Sequence, residues 1–518
     1  MESGEQRGEP SAGTGAGEST GDVRRRKLER LRAEGVEPYP REGWPDRTKI
    51  AAILAAHDPD ELGEGEHAEF AYRIAGRVVG QRGHGKTAFF DVRDLSGTIQ
   101  AYARRDALGE EAFARIEDLD IGDEVGVEGD LYVTKRGQLA LAVRECAMLA
   151  KALRDPPDLF HGISDPEVRY RRRELDLVAN ERSREIFAMR AKLVAAIRNY
   201  LNERDFVELE TPILQSLAGG AAARPFTTHH HALGRELFLR TATELYLKRA
   251  IVGGFENVYE LSRFFRNEGL SPQHNPEFTM LEWFHACIGY EGLMAFAEQM
   301  VASVVEQVLG TTEVERGGST IDFKAPWKRI RLRDAILEET GIDIYEASRD
   351  EQRNRDQLAA LLAERLGEDI DPKADWAWVV DEVQGKLIEP KLVQPTFLVD
   401  LPRELWPTVK PVPEHPELLG EAFDGIVGGI EIVGGGTDTN DPDMQRESFV
   451  RQRQRRHPES EEAPYPSDDE YVRALEYGSL PASGSGIGID RLTMILAGAE
   501  SLREVILFPS MRETRPED

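Results

Sequence analysis

The chain has 518 residues, with 65 Lys+Arg against 94 Asp+Glu for a formal charge of −29, and is 40% hydrophobic and 31% charged. That length allows two to four domains with apolar cores, and 8% aromatics with a non-repetitive spread of Leu, Val and Ile exclude a disordered or fibrous chain. No stretch reaches the roughly 18 to 20 consecutive apolar residues of a spanning helix, and the N-terminus is polar and acidic instead of basic then apolar, so the chain is expected in the cytoplasm, with no membrane partner. Cys146 and Cys287 are the only cysteines; they support neither a disulfide framework nor a zinc site, and both are expected as buried apolar fillers. A balance this acidic counts against a nucleic-acid partner unless basic and aromatic residues gather locally. Only 13 of the basic residues are Lys and the acids run along the whole chain, as in a salt-adapted or GC-rich source.

Residues 1–22 carry almost no apolar side chain and are expected to form a disordered tail. Residues 23–69 read as a helical extension: a helix, a Pro-rich turn (VEPYPREGWP) and a second helix. Residues 70–150 show period-2 alternation and glycine turns, with a helical GEEAFARIED between the third and fourth of about five strands. That order fits a small Greek-key barrel, an OB-fold. On one face Arg77, Phe89 and Gln100 would stack on and pair with unpaired bases. The plainer alternative makes Phe89 and Phe90 one core and one surface aromatic of an ordinary barrel. A linker, 151–180, is interrupted by proline and then basic at Arg169, Arg171, Arg172 and Arg173, either a solvated face or a phosphate contact. From 181 to 518 a long helix, strands, a charged helical stretch and glycine-bounded strands follow without βαβ rhythm, which predicts an α+β domain whose antiparallel sheet is flanked by helices.

Three segments of this last region stand in order: NYLNERDFVELETPIL, YELSRFFRNEGLSPQHNPEFTMLEWF and GSGIGIDRLTMILAG. They resemble motifs one, two and three of class II aminoacyl-tRNA synthetases, and the closest resemblance is to the lysyl-tRNA synthetase family. It extends from about residue 70 to Arg512, through GGAAARPF, TELYLKRA, HNPEFTMLE, TNDP and REVILFPSMR. The resemblance implies a class II synthetase catalytic domain, an anticodon-binding barrel (Arg77, Phe89, Gln100) and a homodimer built on the first motif with Pro212. It implies ATP as substrate, up to three Mg2+ ions, and tRNA(Lys) and lysine as partners.

The chemistry asked of the site is sensible for these residue types, since neutralising charge on an α-phosphate under carboxylate attack calls for a fixed arginine and divalent cations. By resemblance Arg266 is that arginine, Glu268 and His274 bound the ATP site, Phe278 stacks on adenine, and Arg491 meets the γ-phosphate end. Gly484, Gly486 and Gly488 precede it where backbone must approach the nucleotide. Glu431 and Asp438 are the matching metal positions, with Asp where the family has Glu.

For the amino acid, Gly220, Glu244 and Glu282 are retained, Glu244 expected at the α-amino group and Glu282 at the side-chain ammonium. Other positions depart from the family: Gly434 and Gly436 stand for an Asn and an aromatic, Phe284 for Tyr, Leu401, Trp406 and Thr408 alter a neighbouring loop, and Gln138 stands for Glu in the barrel. Asp438 and Glu282 with no arginine call for a cationic side chain, lysine first and ornithine or another analogue behind it. The implied activity is a lysine–tRNA ligase. The alternatives are a paralogue that adenylates lysine or another cationic amino acid for a different acceptor, and a catalytically dead RNA-binding homologue.

Overall fold

The computed structural model describes residues 19–217, 219–221, 223–367, 370–454 and 468–512. The chain divides into two compact units at Arg184/Glu185. The expected tail falls outside the described residues as far as residue 18, and its last part belongs instead to the first helix, Thr20–Ala33, because the Ser19 hydroxyl caps the Asp22 N–H at 3.3 Å. Two short helices, Ile50–Ala56 and Pro59–Leu62, complete the extension.

The first unit centres on a closed barrel of β1 (Gly65–His84), β2 (Thr87–Arg93), β3 (Thr98–Arg104), β4 (Glu124–Val133) and β5 (Leu139–Ala150), in the order β1-β2-β3-β5-β4. It starts five residues ahead of the expected boundary at 70, because β1 is long enough to pair with both β2 and β4. Strict alternation along β2 sends Phe90 into the barrel core with Ile74, Val92 and Val127, and turns Phe89 outward. The helix Glu110–Glu117 lies between β3 and β4 and adds Phe113 and Ile116 to that core.

The basic linker serves the fold. Arg173 is fully buried and its Nη1 donates to Asp176 Oδ2 at 2.6 Å, while Arg169 Nε donates to Asp176 Oδ1 at 2.9 Å. Arg171 and Arg172 pair with Glu167 and Glu174. A phosphate contact through Arg173 is therefore ruled out, since a buried arginine with a carboxylate partner does not reach solvent.

In the second unit eight strands form one sheet: β6 (Val207–Glu208), β7 (Asn257–Phe265), β8 (Glu277–Ala286), β9 (Lys328–Arg331), β10 (Thr396–Pro402), β11 (Leu419–Val427), β12 (Ile430–Thr437) and β13 (Ala482–Gly488), ordered β9-β10-β11-β12-β13-β8-β7-β6. The six inner strands are antiparallel as expected, but both edge strands pair in parallel, each reached through intervening helices as parallel pairing requires. One face carries the main core, in which Trp283, Leu281, Val433 and Ile487 pack against the helices Tyr290–Leu309 and Ile489–Leu496. The opposite face is left open for a cavity. Cys146 is half-buried against the barrel core, short of the full burial expected, its thiol pushed up to about 12 by desolvation and then by Glu145, whereas Cys287 is exposed in the turn after β8 with φ 62°, against the expectation for it.

The segment entering the site from the first motif is held by a buried pair. Arg240 Nη1 donates to Glu260 Oε1 at 2.5 Å, Arg240 Nε to Arg263 O at 2.9 Å, and Glu260 Oε2 accepts from Thr211 N at 3.0 Å. Removing one partner strands a charge in the interior, which costs about 3–5 kcal/mol. Arg240→Ala should therefore lower the denaturant midpoint of this unit by that order, and a change below about 1 kcal/mol would show that water reaches Glu260 freely.

Candidate active site

A cavity of about 450 Å³ opens on the free face of the sheet. Its floor follows from strand register. Glu282 on β8, Gly486 on β13, Gly434 on β12 and Asp424 on β11 form one cross-strand row, and Phe284, Gly484, Gly436 and Ala422 form the next. Directly opposed residues of an antiparallel sheet share a face. The glycines thus make a shallow trough with Glu282 at one side and Asp424 at the other. Gly484 has to be glycine because a Cβ there would run into the Phe284 ring. At Gly436 a Cβ would meet the Glu421 carbonyl at 2.6 Å and Val409 Cγ1 at 2.7 Å, so the aromatic that the family carries at this position has no room here.

At the deep end three elements meet around one ammonium. Lys248 Nζ lies 2.6 Å from Glu244 Oε1 and 2.8 Å from Asp438 Oδ1, and Glu244 Oε1 also accepts from Thr408 Oγ1 at 2.6 Å. Burial works against the charge on Lys248, but Asp438 and Glu244 hold it above its ordinary range. Asp438 Oδ2 is buried with no hydrogen-bond partner. Desolvation raises the Asp438 carboxyl to about 6 in spite of Lys248. Glu282 accepts at Oε2 from Thr243 N at 2.9 Å and from the Thr243 hydroxyl, yet burial lifts it to about 7. Gly220, with φ 90°, lines the same cavity.

At the outer end Arg266 lines the cavity, its guanidinium carbon 5.3 Å from the centre of the Phe278 ring, with a buried Nε that has no partner. Arg266 makes no ion pair with any described residue. Phe278 stacks on Phe264 at 5.9 Å on the adjacent strand. Arg491, in the first turn of Ile489–Leu496, donates to Glu431 O at 2.9 Å and to Glu431 Oε2 at 3.0 Å, and its Nη2 lies 3.4 Å from His274 Nε2. His274 is held below its ordinary value by partial desolvation and then by the Arg491 charge. Glu268 is half-buried in the loop that follows β7. The neighbouring Asp490 fixes this corner, accepting from Thr279 N at 2.8 Å and pairing with Arg190 at 2.5 Å.

Glu431 and Asp438 are not brought together. They sit seven positions apart at opposite ends of β12, about 20 Å along an extended chain, and Asp438 is committed to Lys248. The carboxylate that does join Glu431 is Asp424: measured from a Cβ position at Gly434, Asp424 Oδ1 lies at 3.1 Å and Glu431 Oε1 at 3.6 Å. Asp424 is pushed well above its ordinary value by burial and then by the Glu431 charge, although Gln384 donates to it at 2.8 Å. Two half-buried acids facing one another in this way fit a cation between them. No cluster of three or more candidate ligands occurs among the described residues, so a metal here would take its remaining ligands from phosphate oxygens and water, as Mg2+ commonly does. The motif reading missed Asp424, because its link to Glu431 runs across a hairpin. The available signal was its spacing of seven residues from Glu431 over the VGG turn.

On the barrel, Phe89 stacks on Tyr102 at 4.8 Å and 16°, and Tyr102 meets Tyr132 at 5.1 Å, a half-open aromatic row. Gln100 Nε2 donates to Asp91 Oδ1 at 3.2 Å, and Arg77 pairs with Glu124 at 2.7 Å. Arg82, cross-strand from Phe89, is exposed.

An antiparallel sheet with a lone arginine over its open face and a second at its motif-three corner, together with a separate OB barrel, defines a class of adenylating tRNA enzymes. The comparisons agree: residues 165–512 match the family model for class II tRNA synthetases (D, K and N), and residues 72–149 match the OB-fold nucleic acid binding domain. The chain belongs to the class II tRNA synthetase family. It is similar to curated proteins named lysine–tRNA ligase: 42% identical to that of Dehalococcoides mccartyi over 94% of this chain and 96% of the relative, and 43% identical to that of Carboxydothermus hydrogenoformans over 95% and 97%. The one from Staphylococcus saprophyticus is 43% identical over 95% of this chain and 98% of its own.

The raised Glu282 carboxyl makes a stability prediction. A folded-state value above the unfolded one favours the fold fully below about 4.5 and loses that contribution as pH rises through about 7. Between those limits the wild type should lose on the order of 3 kcal/mol relative to Glu282→Gln, read from denaturation midpoints at each pH. Parallel pH profiles for the two proteins would show that Glu282 is already ionised in the folded state.

Proposed function

We propose that the chain activates lysine with ATP and transfers it to the 3′ end of tRNA(Lys) as a homodimer in the cytoplasm. What carries the amino-acid reading is the unpartnered, buried Asp438 Oδ2 and the charge count around it. Glu244, Glu282 and Asp438 gather around the single buried ammonium of Lys248, with the Arg266 and Lys410 charges farther off, so the acids outnumber the cation among them, and a basic amino acid brings two ammonium groups. The α-ammonium goes to Glu244, and the side-chain ammonium to Glu282 and Asp438 Oδ2. Binding then returns both raised carboxyls to the ionised form. The curated relatives carry the same reading over nearly the whole chain, and nothing in the site favours another acceptor.

In the first step the amino-acid carboxylate attacks the α-phosphate of ATP, forming the acyl–phosphate bond as pyrophosphate leaves. Arg266, with no carboxylate of its own, is free to neutralise the charge that builds there. Phe278 stacks on the adenine, Glu268 and His274 bound the nucleotide, and Arg491 meets the end of the polyphosphate. Neutral His274 accepts from Arg491 without adding positive repulsion. Asp424 and Glu431 would hold Mg2+, which supplies charge neutralisation along the phosphates when bound. In the second step a hydroxyl of the terminal adenosine attacks the activated carbonyl and AMP leaves. Substrate positioning dominates, because no side chain in the cavity is placed as an obligatory base.

The aromatic row of the barrel supports anticodon recognition by stacking, with Phe89 at its open end and Arg77 and Gln100 at its flank. Exposed Val207, Ile213 and Leu214 in the first-motif segment and Leu217 just after it, each 39–49% accessible, support a subunit interface there. No helix among the described residues is long and apolar enough to cross a membrane.

ATP–pyrophosphate exchange across the standard amino acids plus ornithine should be driven by lysine, and tRNA(Lys) charging should follow; exchange with no charging would move the function to another acceptor. The lysine KM should fall as pH rises through about 6 to 7, where Asp438 and Glu282 ionise, and Asp438→Asn should raise it by about 10-fold or more at neutral pH. An unchanged KM in that variant would place the ammonium elsewhere. Phe89→Ala should raise the tRNA KM by about 5- to 100-fold, the worth of one lost base stack, and a tRNA KM within twofold of wild type would remove Phe89 from the interface.

A further inference from the structure

The loop that follows β10 places a tryptophan on the glycine trough. The ring tip of Trp406 stands 3.2 Å from where a Cβ of Gly434 would be, and Phe284 covers Gly484. Gly434 pairs with Gly486 and Gly436 with Gly484, so the two rings lie over diagonally adjacent glycines of one floor. Both rings line the cavity that holds Glu244, Glu282 and Asp438.

The Trp406 ring is fixed in place. It packs against the second core of the unit, around Leu401, Val409 and Leu419. The loop is stitched to the end of β12 by Lys410 N to Thr437 O and Thr439 N to Thr408 O, both 2.8 Å, and Gln445 Nε2 donates to Pro407 O at 3.1 Å. Two residues on, Thr408 donates to Glu244, so one short loop supplies both an apolar wall and a hydrogen bond to an acid at the deep end of the pocket.

A floor of glycines offers a methylene stem nothing to pack on but backbone. We propose that Trp406 is the specificity-determining wall of the amino-acid pocket: its ring covers the aliphatic stem of the basic substrate over Gly434 and, with Phe284, sets the stem length at which the ammonium reaches Asp438. Gly434 is the necessary counterpart, because a Cβ there would press on the ring at 3.2 Å and on Asp424 Oδ1 at 3.1 Å. This inference rests on the amino-acid reading above.

The test is pyrophosphate exchange with lysine and ornithine, which differ by one methylene, a difference a packed pocket reads as roughly 10- to 200-fold. Trp406→Ala should raise the lysine KM by about tenfold or more and shrink the lysine-over-ornithine preference by a similar factor, with the ATP KM within twofold. Trp406→Phe should keep most of the preference, which separates lost contact from a damaged fold. Gly434→Ala should raise the lysine KM in the wild type and much less in the Trp406→Ala background, a coupling expected only if the ring occupies that space. An unchanged lysine-over-ornithine preference in Trp406→Ala, additive effects in the cycle, or an ATP KM that rises with the lysine KM would each overturn the assignment. If the wild type activates a different cation, the amino-acid reading fails instead. The ring is then judged by the same ratio for that cation and its homologue one methylene shorter.

Discussion

The arrangement at the deep end of the cavity hangs on one buried ammonium. Lys248 stands one helical turn beyond Glu244 and reaches Asp438 at the end of β12. A bare carboxylate at either position would cost several kcal/mol in so dry a place, and the lysine relieves both at once. Its relief is incomplete. Asp438 Oδ2 has no hydrogen-bond partner and Glu282 accepts only from Thr243, so the pocket carries an electrostatic deficit that a basic ligand would remove. Affinity and charge selectivity then share one cause, and an acidic or neutral amino acid would leave the deficit standing.

The same economy explains the glycines. A sheet face that must hold a nucleotide, a cation and an amino acid close to its backbone cannot carry ordinary side chains on its central strands, so the bulk comes from the periphery: Phe284 on the neighbouring strand and Trp406 on a loop. The acids stand at the borders of this bare region, Glu282 on one side and the Asp424–Glu431 pair on the other. Their separation across four strands, about 14 Å at the usual strand spacing, would divide ammonium binding at Glu282 from phosphate and metal chemistry at the proposed Asp424–Glu431 pair.

The residues legible in the sequence were those whose role follows from their own segment. Strand alternation put Phe89 and Phe90 on opposite faces of the barrel, and Arg266, Phe278, Glu282 and Arg491 stood in the second and third motifs with Glu244 in TELYLKRA ahead of them; the fold brings Arg266, Glu244 and Glu282 to one cavity. What was not legible depended on pairing between segments. Glu431 and Asp438 look like neighbours in the string, yet an extended strand drives them apart, while Asp424 comes back across a hairpin to face Glu431. The run at Arg169 to Arg173 reads as a cationic surface until the helix brings Asp176 beneath it. Cys287 is apolar by type but falls in a turn with a positive φ, where the backbone decides its exposure. Trp406 stood out only as a departure from the family, and its use became visible when Gly434 was found beneath its ring.

The net charge of −29 sets the remaining problem, since a chain this acidic must still hold a polyanion. The barrel's arginines are largely spent on its own acids, Arg77 on Glu124 and Arg73 on Glu128, so the face around Phe89 attracts phosphates weakly. What it offers instead is the Phe89–Tyr102–Tyr132 row with exposed Arg82 beside it. Phosphate attraction falls steeply as salt rises, whereas a base stacked on an aromatic ring carries no net charge to be screened. Recognition built this way would depend less on ionic strength than recognition by a basic surface. In that light the acidity and the aromatic face are compatible, since a barrel that met unpaired bases through this row would ask little of long-range charge.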